Sequence, residues 1–402
     1  RALKEGIAFN SPEFWEKALA DSFAYKETPD QEQVIQDIIA DMEQPKPMDR
    51  LLVADVGFGK TEVAIRAAFK AVTSGFQVAF LAPTTILVEQ HLKTFTERLS
   101  PFGVQVAALS RFRSLSEQKK VLAGLKTREV DVVIGTHRLL SKDVKFANLG
   151  LIIIDEEQRF GVRHKEKLKM MRSEVDVLSM TATPIPRTLN LALSGIRDIS
   201  TIETPPMNRL PIQTTVAPFN MDAVKEAVLQ EIKRGGQVYF VHNRVATIAS
   251  ITGKLEQVLP EIRFVYAHGQ MPERLLAKIM EDFRSGKYDV LVASTIIENG
   301  LDNPNVNTLI VDNSSHFGLS QLHQLRGRIG RGKVQAYAYF YYNPGKLAGK
   351  ALERLKTIAG HTELGSGYQI ALRDLQIRGA GGVLSQKQHG HMLWSWTGWQ
   401  DS

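Results

Sequence analysis

Leu51-Leu52-Val53-Ala54 is a short apolar run that leads into Asp55-Val56-Gly57-Phe58-Gly59-Lys60-Thr61, where the Lys-Thr pair opens an Ala-rich helical pattern. Residues of these types at this spacing can cradle a nucleotide phosphate. Gly57 and Gly59 let the backbone curl with its N–H groups turned inward, and the N-terminus of the following helix adds partial positive charge. Lys60 is then placed to pair with the β- and γ-phosphates, and the Thr61 hydroxyl to hold magnesium. Ala54 stands where a glycine is usual, six residues before the lysine, which makes this the A-x-x-G-x-G-K-T variant. An ordinary strand-to-helix turn would also use glycine for steric reasons, but the strand and helix flanking it are what a phosphate cradle requires.

Further chemistry lies downstream. The apolar run Leu151-Ile152-Ile153-Ile154 ends in Asp155-Glu156-Glu157-Gln158, and carboxylates at the carboxyl end of a buried parallel strand sit where such sheets place ligands. Asp155 would complete magnesium coordination, and Glu156 would orient and deprotonate an attacking water. An acidic helix start is the alternative. Thr181-Ala182-Thr183-Pro184 follows the next apolar run and belongs to the same edge. Near the other end, His323-Gln324-Leu325-Arg326-Gly327-Arg328-Ile329-Gly330-Arg331 carries arginines three apart, which would share one helical face and could stabilise a transferring phosphoryl group. Gln31, after Tyr25 and the helix start at Thr28-Pro29, can pair with an adenine edge while a ring stacks on the base. A capped helix is the simpler account of that stretch.

The elements that must position these groups alternate along the chain. Strands are expected near 51–54, 76–82, 104–109, 130–134, 151–155 and 176–180, and again near 212–217, 237–241, 262–266, 289–293, 306–311 and 335–341, with helical patterns mostly between. Such alternation implies mostly parallel sheets covered on both faces. Glu203 to Pro211 holds three prolines and reads as a linker. Residues 1–21 read as an amphipathic helical lead-in with Ile7, Phe9, Phe14, Trp15 and Leu19 inward. The expected domains are this lead-in, a first lobe over 22–205, a second over 206–345, and a helical extension over 346–402. The phosphate cradle occurs only in the first lobe, so the site is expected to be shared across a cleft.

Composition sets outer bounds. A chain of 402 residues with 43% hydrophobic content can bury two or three cores. Fifty basic against 43 acidic residues, net +7, permits a polyanionic partner without requiring one. With no cysteine, disulfides and thiolate-held metals are excluded, and a reducing cytoplasmic setting is expected. No apolar run reaches the roughly 18 residues of a membrane span, so no membrane partner is expected. Opening on Arg1 rather than Met is expected of a segment of something longer.

Taken together and in order, the Gln31 region, the Gly57–Thr61 turn, Asp155–Gln158, Thr181–Thr183 and Gln324–Arg331 resemble the helicase and translocase superfamily built of two tandem RecA-like lobes. The stretches Asp55–Ala64, Asp155–Val162, Ala182–Thr188, His268–Met271 and Phe317–Gln324 are similar to the bacterial transcription-repair coupling factor (Mfd) family, a branch of superfamily 2 related to RecG. Phe58 and Glu157-Gln158 favour the first of these two. Tyr368–Gly381 resembles the translocation motif that both share, with departures at Gln376, Gly382, Ser385 and His389. The Trp394–Trp399 end resembles neither closely.

The resemblance implies an α/β fold of two RecA-like parallel-sheet domains with a C-terminal helical translocation-motif extension, and an ATP hydrolase using ATP and Mg2+. It implies nucleotide contacts from Tyr25, Gln31, Gly57, Phe58, Gly59, Lys60, Thr61 and Glu62, with metal held by Thr61 and Asp155. Catalysis would fall to Lys60, Asp155, Glu156, Gln324, Arg328 and Arg331. Double-stranded DNA would meet Thr84, Thr85, Arg111, Arg113, Thr136, Arg138, Asn243, Arg244, Gly269 and Thr295, on the face away from the nucleotide. Thr181, Thr183 and Arg378 would couple hydrolysis to movement. RNA polymerase and repair factors would be met only through domains that no stretch here resembles. A RecG-like remodeller of branched DNA, an RNA-directed helicase and a nucleotide-gated binding module without motor activity are the alternatives.

Overall fold

The structure is a computed structural model that describes residues 6–161, 164, 168, 175–182, 197–207, 209–299, 303–346 and 349–378. Two all-parallel sheets organise it. The first runs in the order β3-β4-β2-β5-β6-β1-β7, with β1 Asp49–Ala54, β2 Gln77–Leu81, β3 Val106–Leu109, β4 Val132–Gly135, β5 Leu149–Asp155, β6 Asp176–Thr181 and β7 Asp198–Ile202. The second runs β10-β11-β9-β12-β13-β8, with β8 Gln213–Pro218, β9 Gln237–Val241, β10 Phe264–Ala267, β11 Val290–Ala293, β12 Val306–Val311 and β13 Tyr337–Tyr342. Every expected strand is present within about two residues. Strand β7 was not expected, because its short Asp-Ile-Ser-Thr-Ile run is mostly polar and lies at the sheet edge beside β1.

Side-chain alternation shows why the central strands read as unbroken apolar runs. In β5, Leu151 and Ile153 enter one core cluster while Ile152 and Ile154 enter the cluster on the opposite face. In β9, Tyr239 and Val241 face one way and Val238 and Phe240 the other. Helices α3 (Lys60–Thr73), α4 (Thr85–Leu99) and α5 (Leu115–Thr127) cover the first sheet, and α6 (Met221–Lys233), α7 (Ile248–Val258), α8 (Glu273–Arg284) and α9 (Leu319–Arg326) cover the second. The described part of the extension forms α10 (Gly349–Gly360) and α11 (Gly367–Arg378), and both pack on the second lobe through Leu355, Ile358 and Ile370; Gly382, Ser385, His389 and Trp394–Trp399 lie outside the described residues. Leu364, in the loop between them, packs instead against the core of the first lobe.

The lead-in differs from expectation. Among its described residues only α1, Glu13–Asp21, is helical; Pro12, in extended conformation, immediately precedes it, and residues 6–12 have no regular structure. Phe9 and Leu19 are buried, but Phe14 is 72% exposed and Trp15 43%. A nine-residue helix buries only Leu19 of its own residues, so the expected apolar face is mostly left outside.

Candidate active site

The cradle is built by the end of β1 and the start of α3. Gly57 and Gly59 have φ of +79° and +83°, the left-handed region that side chains disfavour. Space requires glycine as well: a Cβ on Gly59 would run into the Gln31 carboxamide, and one on Gly57 would lie 2.8 Å from the Arg209 guanidinium. Lys60 folds back over the strand end, its Nζ donating to the carbonyls of Ala54 (2.7 Å) and Asp55 (3.0 Å). Burial pushes the Lys60 pKa down and the charge of Arg328 adds to this, while Glu156, Asp155 and Asp55 oppose it. Thr61 occupies the first turn of α3 beside it.

Gln31 is deployed as the capping residue that the simpler account describes. Its Oε1 accepts from the Thr28 N–H (2.9 Å), the Thr28 side chain caps the Gln31 N–H, and its Nε2 donates to the Phe58 carbonyl (2.8 Å). The amide thereby ties α2 (Pro29–Met42) to the cradle turn. Tyr25 is 76% exposed and meets Phe23 edge-on at 5.6 Å. Glu62 is buried among cations, paired with Arg66 (2.7 Å) and Arg98 (2.8 Å). In this arrangement it serves the packing of α3 against α4.

Strand β5 presents Asp155 and Glu156 beside the cradle. Burial alone would raise the Asp155 carboxyl, but the hydrogen bond and charge of His91 (Nε2 to Oδ2, 3.3 Å), with Lys60 and Arg328, hold it below the usual carboxylate range. Glu156 is one of two non-glycine residues at positive φ (+50°) among the described residues, a costly conformation for a side-chain-bearing residue. Its carboxylate accepts from the Ala182 N–H (3.0 Å) and lies 3.5 Å from the Thr181 hydroxyl, with Gln158 donating to its other side. Thr181 and Ala182 at the end of β6 thus hold Glu156 in place. Thr183 lies outside the described residues.

The second lobe faces this group through α9 and the turn after it. His323 Nε2 meets both Asp55 oxygens across the cleft, at 2.9 and 3.1 Å. Burial opposes ionisation of Asp55, yet His323, the Val56 N–H and Lys60 bring its pKa down to about 2. Gly327 is packed so closely that a Cβ there would sit 2.8 Å from the Val56 Cβ. Gln324 Oε1 accepts from Arg159 of the first lobe at 3.4 Å. Arg328 is buried, which pushes its pKa down to about 10, and it feels the charges of Glu156 and Asp155; it is still a cation at neutral pH. Arg328 and Arg331 do not share a helical face as expected. Helix α9 stops at Arg326, and Gly327 and the left-handed Gly330 (φ +67°) carry the arginines on an irregular turn. Arg326 itself is buried, donating to the Ile358 carbonyl (2.9 Å) and the Ser366 hydroxyl (3.3 Å).

The residues expected to meet DNA also follow strand carboxyl ends: Thr84 and Thr85 after β2, Arg111 and Arg113 after β3, Thr136 and Arg138 after β4. In the second lobe Asn243 and Arg244 follow β9, Gly269 follows β10 and Thr295 follows β11. In the first lobe all strands are parallel, so the residues after β2, β3 and β4 leave the same carboxyl edge as the cradle and Asp155 and are separated from them laterally, with β1, β6 and β5 on one side and β2, β4 and β3 on the other; in the second lobe the arginine turn instead leads into the amino end of β13. Several have protein partners: Arg138 with Asp143 (2.6 Å), Arg113 with Glu89 (2.7 Å), and Thr85 (3.1 Å) and Arg111 (3.7 Å) with Glu273 of the second lobe. Thr84 caps α4. Arg378 ends α11.

Reading the sequence did not give roles to His91, Arg209 or the Asp55–His323 pair. His91 had a faint signal, a histidine on the buried face of α4. The other two depend on contacts 153 and 268 residues apart, which no local pattern announces.

Residues 28–192 match the DEAD/DEAH box helicase family and residues 220–333 the helicase conserved C-terminal domain. Fold and family matches together define an ATP-hydrolysing enzyme of the two-lobed helicase and translocase class, built of two RecA-like domains. The transcription-repair-coupling factor of Staphylococcus haemolyticus (strain JCSC1435) is 53% identical over 391 residues, and that of Bacillus subtilis (strain 168) is 54% identical over 391. Each alignment covers 97% of this chain and 33% of the relative. The structure of RecG bound to a three-way DNA junction matches with a TM-score of 0.78 and 39% identity, covering 96% of this chain and 51% of that one. The chain belongs to the transcription-repair-coupling factor family. It spans about a third of the length of the curated relatives it matches.

Proposed function

We propose that this chain is an ATP-dependent double-stranded DNA translocase, the motor portion of a cytoplasmic transcription-repair coupling factor that displaces stalled RNA polymerase when the rest of such a protein is attached. The observation that carries it is the meeting of two half-sites: Lys60, Asp155 and Glu156 from the first lobe, and His323 and Arg328 from the second, converge at one cleft. The cradle suits a triphosphate, since its two left-handed glycines bend the chain sharply into the N-terminus of α3, with Lys60 and Thr61 in the first turn. Asp155, held ionised beside Lys60, suits a divalent cation, with Thr61 as the second holder. Magnesium, when bound, neutralises phosphate charge.

Glu156, fixed by Thr181 and Ala182, orients and deprotonates the attacking water; Arg328 and Arg331 stabilise charge on the transferred phosphoryl group when the lobes close. Closure completes the site, and hydrolysis releases it. The residues after β2, β3, β4, β9, β10 and β11 would contact the DNA backbone and carry no sequence information, so binding should fall steeply with salt. Arg378, on the helix after the loop that touches the first lobe, would pass closure to the duplex.

Steady-state ATP turnover with linear duplex, forked DNA, single-stranded DNA, RNA or no nucleic acid tests this, with Glu156→Gln as control. Stimulation by linear duplex supports the proposal. Preference for forked DNA would instead favour the RecG-like reading that the RecG likeness supports. ATP binding with no stimulation by any polymer would leave a nucleotide-gated binding module.

A further inference from the structure

Arg209 lies in the segment that joins the lobes, yet its side chain reaches both halves of the site. Nη1 donates to the carbonyl of Val56 in the cradle turn at 2.6 Å, and Nε donates to the carbonyl of Gly330 at 3.2 Å, between Arg328 and Arg331 in the chain. The guanidinium stands over the Phe58 ring, 5.9 Å from its centroid, and fills the space that a side chain at Gly57 would need. It forms one wall of a small cavity that Asp55, His323 and the loop Thr362–Gly365 also line. A Cβ on Gly365 would lie 3.8 Å from the same Phe58 ring.

We propose that Arg209 is a positioning residue that sets the register between the phosphate cradle and the arginine turn, and so determines when Arg328 and Arg331 complete the site. This rests on the reading that ATP is hydrolysed between the lobes. A guanidinium is suited to the task because its planar fork offers donors in fixed, divergent directions. One side chain therefore satisfies two carbonyls that belong to different lobes. Both carbonyls sit in turns bent by left-handed glycines, Gly57 and Gly330, where no ladder partner is available to them. Opening the cleft separates Val56 from Gly330, so it must break at least one of these bonds. Pro205, Pro206 and Pro211 stiffen the backbone on either side of Arg209, which keeps the side chain poised between its acceptors. Lysine would preserve the charge but not the two-directional fork.

The absence of cysteine from the chain makes a direct test clean. Lys119→Cys on α5 and Lys254→Cys on α7, both exposed, would carry a dye pair for single-molecule FRET with AMP-PNP as the nucleotide probe. With Arg209 present, AMP-PNP should give one narrow closed distribution. Arg209→Ala should broaden it toward open states, and Arg209→Lys should restore it only in part. In ATP turnover, Arg209→Ala should lower kcat by about tenfold or more, as expected for loss of a charged hydrogen bond made in the closed site, with KM within about threefold. Melting temperatures of all three proteins separate this from a loss of folded protein. The inference is overturned if Arg209→Ala keeps the narrow closed distribution, or if its kcat falls only as far as its folded fraction does. If the parent protein closes on AMP-PNP through Arg209 but does not hydrolyse ATP, the motor reading fails while the register assignment stands.

Discussion

Asp176 begins β6 at the edge of the sheet opposite the nucleotide cleft. Its Oδ1 accepts from the Met48 N–H at 2.9 Å, only 1% of the residue is exposed, and Oδ2 has no hydrogen-bond partner. Burial, only partly offset by that one hydrogen bond, pushes its pKa up to about 8. The sign of the linkage follows. Below the ordinary aspartate value near 3.8 both folded and unfolded chains carry the proton, and the group contributes nothing to the pH dependence. Between that value and about 8 the unfolded chain releases the proton and the folded chain keeps it, so stability falls as pH rises, by about 1.4 kcal/mol per pH unit at most. At pH 7 the accumulated cost is about 4 kcal/mol as an upper bound. Asparagine in the same place retains the acceptor for Met48 and has no charge to bury; its amide without a partner costs about 1 kcal/mol. Asp176→Asn should therefore raise the melting temperature by about 10 °C as an upper bound at pH 8 and by about a third as much at pH 5.5, at roughly 2–4 °C per kcal/mol for a lobe of this size. Melting followed by circular dichroism from pH 5.5 to 8.5 reads this directly. An equal loss of stability at both ends of the range would mean that the carboxylate is ionised and partnered, and the reasoning would be wrong.

Three further outcomes concern the site. Glu156→Gln keeps an oxygen for the Ala182 N–H, so nucleotide binding should survive while turnover falls by about a thousandfold; a parallel loss of both, measured by equilibrium binding and steady-state assay, would deny Glu156 its role with water. His91→Ala removes the partner that orients Asp155 and should raise the magnesium concentration needed for half-maximal turnover by about tenfold, as loss of an outer-shell partner does elsewhere; an unchanged magnesium titration counts against Asp155 as a metal holder. Glu273→Ala frees Thr85 and Arg111, and duplex DNA affinity should rise by about two- to fivefold at low salt, with the gain shrinking as salt screens it. Fluorescence anisotropy across a salt series would expose the error if affinity stayed level or fell.

What was legible in the sequence followed from local physics. Central parallel strands must be apolar on both faces, so β5 and β9 announce themselves. A phosphate cradle needs left-handed glycines and a helix start at fixed spacing, so Gly57, Gly59 and Lys60 do as well. Local pattern misled at the arginine turn: a three-residue arginine spacing suggests a helical face, yet the helix stops at Arg326 with Gly327 as its cap, and the left-handed Gly330 stands between Arg328 and Arg331. Gln31 shows the converse, since its capping motif was visible but its bond to the Phe58 carbonyl, 27 residues away, was not. Interlobe partners were out of reach altogether. Nothing near Arg209 in sequence indicates that Val56 and Gly330 will arrive on either side of it.

The lateral arrangement of the two half-edges bears on how closure can be felt by DNA. The arginine turn and α9 follow β12, and β12 lies against β9, which lies against β11 and then β10. Those last three strands carry Asn243, Arg244, Thr295 and Gly269. A close-packed parallel sheet moves as one body, so any displacement that brings Arg328 toward Glu156 also carries these four residues relative to Thr84, Thr85, Thr136 and Arg138. Glu273 sits where the two moving edges meet and is already engaged with Thr85, which makes it a carboxylate held against a hydroxyl and an arginine expected to receive phosphate. Nucleic acid binding there would have to displace it, and the same displacement would release one of the contacts that hold the lobes at their present separation. The nucleotide end of the cleft would keep Arg209, the Asp55–His323 pair and the Gln324–Arg159 contact, so the two ends of the cleft are coupled through contacts that span the lobes rather than through either lobe's interior.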